Sequence, residues 1–453
     1  MIEGGSGTPS SPSGPDGPGG DPAVDPERVA LAGLVRVCEP PSAAVARFVL
    51  AHGPAAAWSA VLARRASRPV IAATAARVDG VDPAGLVARA RADLVAAARV
   101  GARLIGPQDA EWPAAAVASF AGAMARGVRG SGPPVGLYVR GRPLAHLPDR
   151  AVTLVGSRAS SPYGTRVAAE IAHELARAGR LVVSGAAFGI DTAAHRSALQ
   201  VVRSSTAVAS ISSGASTGAS TAAVGGPAGS RAGRSVTVAV LACGIDRAYP
   251  EANRELLDLI ARFGSVVSEY PPGTVPARHR FLVRNRLIAA FGAGTVVVEA
   301  GRRSGTLSTA AAAEQLGRVV MAVPGPVTSA MSVGCHLLLA DRFAQLVTGA
   351  DDVLAALGGA SGALRAVGSP GDAGAGDGAV PGEDPRHPTD GLAPETARIY
   401  DAFPARGSVA VPDLVVESGL PVAAVLGALA VLQVHGLVDQ EGPLWHRIRR
   451  PRS

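Results

Sequence analysis

The sequence predicts an α/β protein whose core is a doubly wound parallel sheet. Its apolar runs of Val, Ile and Leu are continuous rather than alternating, which is typical of strands buried on both faces. Helix-like stretches separate the runs, as they do in parallel sheets. Each run ends in a turn of small and polar residues, and such turns lie along one edge of the sheet, where ligands bind. Six run-and-turn units lie between Val152 and Gly325: AVTLVGSR, LVVSGAAFGID, TVAVLACGID, SVVSEYPPG, TVVVEAGRRSGT and VVMAVPGP.

The composition limits the classes of protein to which the chain can belong. The chain has 453 residues, enough for two or three domains, and a net charge of +7 in which all 43 basic residues are arginine. This positive balance favours a polyanionic partner. The longest apolar stretch, Val319 to Ala340, is interrupted by Pro324 to Pro326, so we expect no membrane span. Because Cys38, Cys243 and Cys335 have neither metal-ligand spacing nor a disulfide framework, we expect a cytoplasmic protein without a metal or cofactor.

The N-terminal part is predicted to hold a tail and a helical domain. Residues 1–26 are rich in Gly, Pro, Ser and Asp and lack the features of a secretory signal, so we expect a disordered tail. Residues 27–103 are rich in Ala and Leu with helical periodicity, which indicates a small helical domain of SAM-like or helix-hairpin-helix-like type. The extended Rossmann-like core is predicted over residues 104–357, and it begins with a connector that ends in a short strand.

Two low-complexity segments divide the rest of the chain. Residues 201–234 consist almost wholly of small residues and follow a predicted helix from Thr192 to Leu199, so we expect a disordered insert in the core. Residues 358–391 are predicted to be a flexible linker. Residues 392–449 contain three amphipathic helices and a hairpin, which indicates a winged-helix domain, and residues 450–453 form a basic tail.

The first two turns of the core suit phosphate binding. Gly156-Ser157-Arg158 ends a strand, and the helix behind it is predicted to be capped by Ser161 and Pro162 and to end at Gly179. Amide groups at a helix start attract anions, and an arginine adds a bidentate grip. In the second turn, from Ser184 to Asp191, two glycines permit close approach of a backbone. Asp191 either caps the next helix or serves the site, and His195 faces either the core or a ligand.

The later turns are richer in arginine. Tyr249, in YPEAN, either stacks on a base or packs in its turn. The segment from Arg278 to Arg303 holds six arginines and one acidic residue, with Phe281 among them. This mixture is typical of a groove for single-stranded nucleic acid, although a solvated basic helix face is the alternative. The stretch from Arg284 to Arg286 is interpreted as a turn that enters a helix, and Ser304 to Thr306 as an anion-binding nest.

Seven motifs, taken together, resemble the DprA/Smf family of DNA-processing proteins. The resemblance covers roughly Leu104 to Leu357, and the motifs agree in order and spacing apart from the insert. The sequence departs from the family in the length of that insert and at Arg254, where many relatives have lysine. The motifs are GSR, SGxAxGID, AHxxAL, LAxGxDxxYPxxN, SEYPPG, FxxRNRxIA and SGTLxTA.

The resemblance implies a mediator without catalytic residues. Such proteins bind and protect incoming single-stranded DNA in natural transformation, load a RecA-type recombinase, displace single-strand-binding protein and dimerise through the Rossmann-like domain. The winged helix has no assigned task, and arginines 447, 449, 450 and 452 either contact phosphates or form a solvated tail. The DNA-contacting residues that the resemblance implies are Gly156, Ser157, Arg158, Gly185, Gly189, Tyr249, Asn253, Arg254, Phe281, Arg284, Asn285, Arg286, Ser304, Gly305 and Thr306.

Two other functions are considered. Nucleoside-monophosphate phosphoribohydrolases of the LOG type have a related fold, but their PGGxGTxxE signature is replaced here by Gly301 to Thr309, with Thr309 in place of the glutamate. The acids that follow strands, Glu269 and Glu299, are predicted to orient neighbouring arginines. A transcription regulator that uses the winged helix on DNA, with the core as a ligand sensor, is the third hypothesis.

Overall fold

The computed structural model describes most of the predicted core and its flanking parts. Most of the predicted tail, linker and basic tail, and the later part of the insert, lie outside the described residues. The described residues are 25–128, 130–144, 147–213, 235–359, 388–389, 391–404 and 407–448.

The core is a mostly parallel sheet, as predicted, and the described residues form nine strands of it. Its order is β1-β2-β6-β5-β4-β3-β7-β8-β9, and strands β3 to β9 pair in parallel wherever they are neighbours, whereas β1 and β2 join antiparallel. The chain winds outward from β3 to β6 and then returns to the other side of β3 with β7, so the winding direction changes between β3 and β7. The strands are β1 (Ala102–Ile105), β2 (Leu137–Gly141), β3 (Ala151–Val155), β4 (Leu181–Ser184), β5 (Thr237–Leu241), β6 (Ser265–Ser268), β7 (Gly294–Val297), β8 (Val319–Ala322) and β9 (Gln345–Leu346).

Helices cover both faces of the sheet. One face packs on α6, α10 and α11 and the other on α7, α8 and α13, and apolar residues of α1 to α5 share a cluster with Leu241 and Val266 of the sheet. The predicted helical domain is therefore packed against the core. The helices are α1 (Pro26–Val37), α2 (Ala43–His52), α3 (Pro54–Leu62), α4 (Arg68–Val78), α5 (Pro83–Arg99), α6 (Ala114–Ala125), α7 (Pro162–Arg177), α8 (Ile190–Ser213), α9 (Arg254–Phe263), α10 (Arg278–Phe291), α11 (Gly305–Gln315), α12 (Val333–Ala340) and α13 (Ala350–Gly359).

Helix α8 corrects the predicted start of the insert. The helix was expected to end at Leu199, but it continues to Ser213, so the first part of residues 201–234 is helical. Ala194, Ala198 and Val202 are all buried and recur at four-residue spacing, which continues the core-facing side of the helix. The first helix-breaking glycine is Gly214. The uniform composition of the segment gave no sign that the helix runs on into it.

The C-terminal part contains the three predicted helices and hairpin, with one unpredicted strand. The sheet is antiparallel with the order β10-β12-β11, and its third strand, β10, precedes the second helix. The winged-helix interpretation of this part stays a prediction. The elements are α14 (Pro394–Ala402), β10 (Ser408–Ala410), α15 (Val411–Ser418), α16 (Val422–Val434), β11 (Val438–Glu441) and β12 (Leu444–Arg447).

No single helix of the described residues has both the length and the apolar character to cross a membrane. Only α15 and α16 taken together meet that test, and the chain bends by 107° between them.

His195 lies in the core, not at a ligand. Its side chain is fully buried, and Nδ1 is 2.7 Å from the hydroxyl of Thr237, which donates in turn to the carbonyl of Val182 at 2.8 Å. The hydroxyl oxygen therefore accepts from Nδ1–H. Burial, together with the nearby Arg284 charge, lowers the pKa of His195 to about 3.

This buried imidazole predicts a pH dependence of stability. The unfolded histidine takes up a proton near pH 6.5, whereas the folded one resists protonation, so acid favours unfolding. We expect the advantage in unfolding free energy of the wild type over His195→Asn to shrink by on the order of 2 kcal/mol between pH 7 and pH 5. Urea unfolding of both proteins at the two pH values measures it. Parallel losses in the two proteins would contradict the buried neutral histidine.

Candidate nucleic-acid interface

A large cleft follows the carboxyl edge of the sheet at the point where the winding direction changes. Its volume is about 2270 Å³, and it is lined by the turn after β3, the exposed side of α10 and the start of α11. A smaller pocket of about 580 Å³ shares Arg158, Tyr249 and Phe281 with it. Ligands of doubly wound sheets bind in this position. The predicted turns therefore meet at one site.

An arginine and aromatic cluster forms the centre of the site. The guanidinium of Arg158 lies 5.1 Å from the ring centroid of Phe281, and the ring of Tyr249 lies 5.2 Å from the same centroid, tilted by 51°. Arg158 is exposed, and Tyr249 is 41% exposed. Phe188, which was not predicted to belong to the site, lines the smaller pocket and is 48% exposed. The cluster thus presents aromatic rings and a cation to the solvent together.

Arg284 lies beneath this cluster and corrects the interpretation of its segment as a turn. Residues 284–286 lie in the middle of α10, and Arg284 is only 4% exposed. Its Nη1 donates to the carbonyl of Gly185, at 3.0 Å, and to that of Val240, and its guanidinium lies 5.7 Å from the Phe281 centroid. Burial lowers the pKa of Arg284 to about 10, although the nearby Asp191 opposes the shift. Arg284 therefore holds the site together from inside.

The second turn is fixed around Asp191. The Asp191 carboxylate accepts from the amides of Gly185 at 3.1 Å and Ala187 at 3.3 Å, so it anchors the turn before α8, and its prediction as a cap of that helix is wrong. Burial raises the pKa of Asp191, and Arg284 opposes the shift. A side chain at residue 185 would collide with Arg284, because a Cβ there would lie 2.6 Å from its Nη1. Glycine is thus required at this position.

Asn253 also serves the second turn. Its side-chain amide is buried and donates to the carbonyl of Ala186 at 2.9 Å and to the Thr192 hydroxyl at 3.0 Å. Ala186 has a positive φ of 54°, a conformation that few residues other than glycine adopt, and Asn253 helps to hold it. Asn253 is therefore a positioning residue, and the expectation that it contacts DNA is corrected.

Arg286 faces the opposite way from the cleft. Its Nη2 donates to both oxygens of Glu269 at 2.7 Å, both residues are buried, and the guanidinium lies 5.3 Å from the Phe120 ring. The prediction that Glu269 orients an arginine is confirmed, and the prediction that Arg286 contacts DNA is wrong because its charge is already neutralised inside the core.

Glu299 does not orient an arginine. Its carboxylate accepts from the amide of Ser161 at 3.0 Å and from the Ser161 hydroxyl at 2.5 Å. Ser161 in turn accepts from the amide of Gly164 at 3.1 Å and caps α7, with Pro162 at the first position, as predicted. Glu299 thus fixes the start of α7, and its predicted role is corrected.

The first turn and the start of α11 are joined to each other. The Thr306 hydroxyl donates to the carbonyl of Gly156 at 3.0 Å, and the Ser304 hydroxyl caps α11 by accepting from the amide of Thr306 at 3.2 Å. The Ser157 hydroxyl accepts from the amide of Ala159 at 3.2 Å. The hydroxyls of Ser157 and Thr306 therefore support the two turns rather than face outward. Both side chains are buried, yet both residues line the cleft, and their contacts with DNA stay a prediction.

The accessible part of the predicted site is smaller than the predicted set. Arg254 is exposed and pairs with Glu251 at 2.7 Å, while Asn285 donates to the Ser308 hydroxyl at 2.8 Å on the wall of the cleft. Arg302 and Arg303, at the turn before α11, are exposed as well. The exposed or partly exposed members are Gly156, Arg158, Gly189, Tyr249, Arg254, Phe281, Asn285, Ser304 and Gly305, and the buried ones are Ser157, Gly185, Asn253, Arg284, Arg286 and Thr306.

Comparison with known proteins supports a common family. Residues 103–217 and 204–358 match the family model for DNA recombination-mediator protein A. A protein of Mycobacterium tuberculosis (strain H37Rv) that is named as a DNA processing protein DprA is 41% identical over 429 residues, which cover 94% of this chain and 96% of its own. DNA processing protein DprA of Streptococcus pneumoniae is 38% identical over 222 residues, which cover 49% of this chain and 66% of its own. The X-ray structure of the Streptococcus pneumoniae protein superposes with a TM-score of 0.50 at 28% identity and covers 73% of this chain and 98% of its own.

The Glu269–Arg286 pair predicts a loss of stability rather than of binding. Glu269→Gln leaves a buried guanidinium without its counter-charge, so we expect the free energy of unfolding to fall by about 3–5 kcal/mol. The double variant Glu269→Leu with Arg286→Met is expected to recover most of the loss, because an apolar pair needs no desolvation. Urea unfolding of the three proteins measures both effects. A loss below about 1 kcal/mol in Glu269→Gln would contradict a buried ion pair.

Proposed function

Since the chain belongs to the DNA recombination-mediator protein A family, the DprA/Smf proteins, we propose that it binds single-stranded DNA along the carboxyl edge of its sheet. The observation that carries the proposal is the cluster of Arg158, Tyr249 and Phe281 at the opening of the cleft. Unpaired bases offer faces that stack on aromatic rings, whereas the bases of a duplex do not. The exposed rings therefore favour the single strand.

The phosphates are proposed to follow the exposed arginines. Arg158 and Arg254 lie on the side of the smaller pocket, and Arg302 and Arg303 lie at the turn before α11. The N-terminus of α11 lies at the same turn, where the helix dipole favours a phosphate. Since these groups neutralise the backbone and do not read base edges, we expect little sequence preference.

We further propose that the protein acts as a mediator without chemistry of its own. It would protect incoming single strands in natural transformation, displace single-strand-binding protein, and load a RecA-type recombinase, and it would do so in the cytoplasm as a homodimer. At the position of the hydrolase glutamate, Thr309 is buried on α11. The absence of that carboxylate supports binding over cleavage of a nucleotide.

The first prediction for this site concerns strand preference and salt. We expect tighter binding of a thymidine oligonucleotide than of a duplex of the same length. If four arginines each neutralise one phosphate, the slope of log K against log salt concentration should be about −3. Fluorescence anisotropy over a salt series measures both. Equal affinity for the two forms at moderate salt would contradict the stacking site.

The second prediction concerns Arg158. Arg158→Ala is expected to weaken single-strand binding by about 1–3 kcal/mol, because a charge-assisted contact is lost. Arg158→Lys should recover only part of the lost affinity, since lysine lacks the planar, two-pronged guanidinium group. Arg166→Ala, on the exposed side of α7, is the matched control and should bind as the wild type does. Arg284→Ala is unsuitable as a binding variant, because it also removes the internal support of the second turn.

Two outcomes of that experiment count against the proposal. Unchanged affinity in Arg158→Ala would place the DNA elsewhere. Each protein should also be incubated with purine nucleoside monophosphates and assayed for free base. Base release by the wild type that is lost in Arg158→Ala would make this edge an active site of the hydrolase type.

A further inference from the structure

The C-terminal segment, residues 391–448, forms one wall of the cleft. Phe403, Asp413, Val416 and Glu417 line it, opposite the core. We propose that this segment is an acidic lid, which narrows the DNA cleft from one side and is displaced when single-stranded DNA enters. The proposal rests on the proposed function, because it concerns access to the same site.

Charge complementarity supports the lid. On the core side the cleft is lined by Arg158, Arg302 and Arg303 among other arginines. The cleft-lining residues of the lid include three carboxylates, those of Asp401, Asp413 and Glu417, and one arginine, Arg447. DNA phosphates in the cleft would approach these carboxylates and be repelled by them. The basic side of the cleft therefore cannot attract the lid carboxylates and the DNA phosphates at the same time.

The guanidinium of Arg447 forms its hydrogen bonds within the lid. Its Nη2 donates to the carbonyls of Tyr400 and Phe403, and the group lies 4.4 Å from the Tyr400 ring centroid. Its proposed contact with phosphate would require these bonds to be given up. The lid thus presents carboxylates to the cleft, not a second set of cations.

An ion pair at the rim of the cleft is among the contacts that join the lid to the core. Arg280 of α10 donates to the Glu417 carboxylate at 2.8 Å and to the Glu417 carbonyl at 3.0 Å. Nearby, Nε of Arg77 donates to the carbonyl of Val416 at 2.9 Å. The Glu417 side chain is 38% exposed. The Arg280 side chain is only 2% exposed, so the pair is half-buried and only its carboxylate side is open to water.

Beneath that pair lies a buried anchor, Glu39, whose charge also interacts with Arg398 of the lid. Glu39 accepts from Nε of Arg280 at 3.1 Å, from Nε2 of His279 at 3.2 Å, and from Arg77. Burial alone would raise the pKa of Glu39, but Arg77, His279 and Arg280 outweigh it and hold the pKa well below its usual value. Because Arg280 keeps Glu39 as its partner, removal of the Glu417 charge leaves no buried arginine unpaired.

The chain connection permits such a movement. The family match ends at residue 358, before the lid begins. The 31 residues 360–390 join the core to the lid, and Thr389 among them accepts from Arg278 of α10 at 3.3 Å. Fully extended, a segment of this length reaches roughly 100 Å, so its length alone does not force the lid to stay on the cleft.

The test compares the full chain with Glu417→Gln and with a matched control, Glu441→Gln, on the exposed β11 strand outside the cleft. We expect Glu417→Gln to bind a thymidine oligonucleotide about two- to fivefold more tightly, which corresponds to the loss of one half-exposed ion pair. Glu441→Gln makes the same charge change and should bind as the wild type does. Unchanged or weaker binding in Glu417→Gln would overturn the lid.

Hydrogen exchange of the α15 amides gives a second measurement. We expect faster exchange in Glu417→Gln without DNA, and faster exchange in the wild type when the oligonucleotide is added, because the lid leaves. Slower exchange on addition of DNA would overturn the proposal, since the segment would then be clamping the strand. Failure of the proposed function would look different. In that case Glu417→Gln would show fast α15 exchange, but neither it nor the wild type would bind DNA.

Discussion

The guanidinium of Arg284 joins the two strand ends that form the site to the helix that carries its aromatic ring. From the middle of α10 it donates to carbonyls beside the ends of β4 and β5, and it lies under the ring of Phe281. A buried arginine is costly unless its donors and charge are satisfied, and Asp191 supplies the opposite charge. Asp191 also holds the amides of the second turn. The positions of the turn and of the stacking ring are therefore coupled.

The arginines of α10 show why local charge is a poor measure of a binding surface. Arg280, Arg284 and Arg286 lie within two turns of one helix, yet each is buried and contacts a different part of the protein. Arg280 supports the junction at Glu39, Arg284 supports the second turn, and Arg286 pairs with Glu269. Exposed cations that line the cleft also lie on neighbouring turns, as Arg158, Arg302 and Arg303 do.

The strands, the order of the turns and the helix cap at Ser161 could be predicted, because continuous apolar runs and capping residues are local signals. Strand β9 has only two residues, too few to show a strand pattern in the sequence. The edge strand β1 spans the predicted boundary between the helical domain and the connector. The sequence could not predict which site residues are exposed and which are buried. Arg284 and Arg286 look like solvent-facing arginines of a basic helix, and their burial depends on groups that are distant in sequence, Gly185 and Glu269. Phe188 was missed since a single aromatic residue in a glycine-rich turn gives no periodic signal.

The central claim is that single-stranded DNA lies against the rings at the carboxyl edge of the sheet. Photo-crosslinking tests it directly, with an oligonucleotide that contains 5-iododeoxyuridine, full-length protein and identification of the modified peptides by mass spectrometry. The account predicts adducts on Tyr249, Phe281 or Phe188, which are aromatic side chains that the core contributes to the cleft and its pocket. Adducts confined to Tyr400 or Trp445 of the C-terminal segment would contradict it and place the strand on that segment instead.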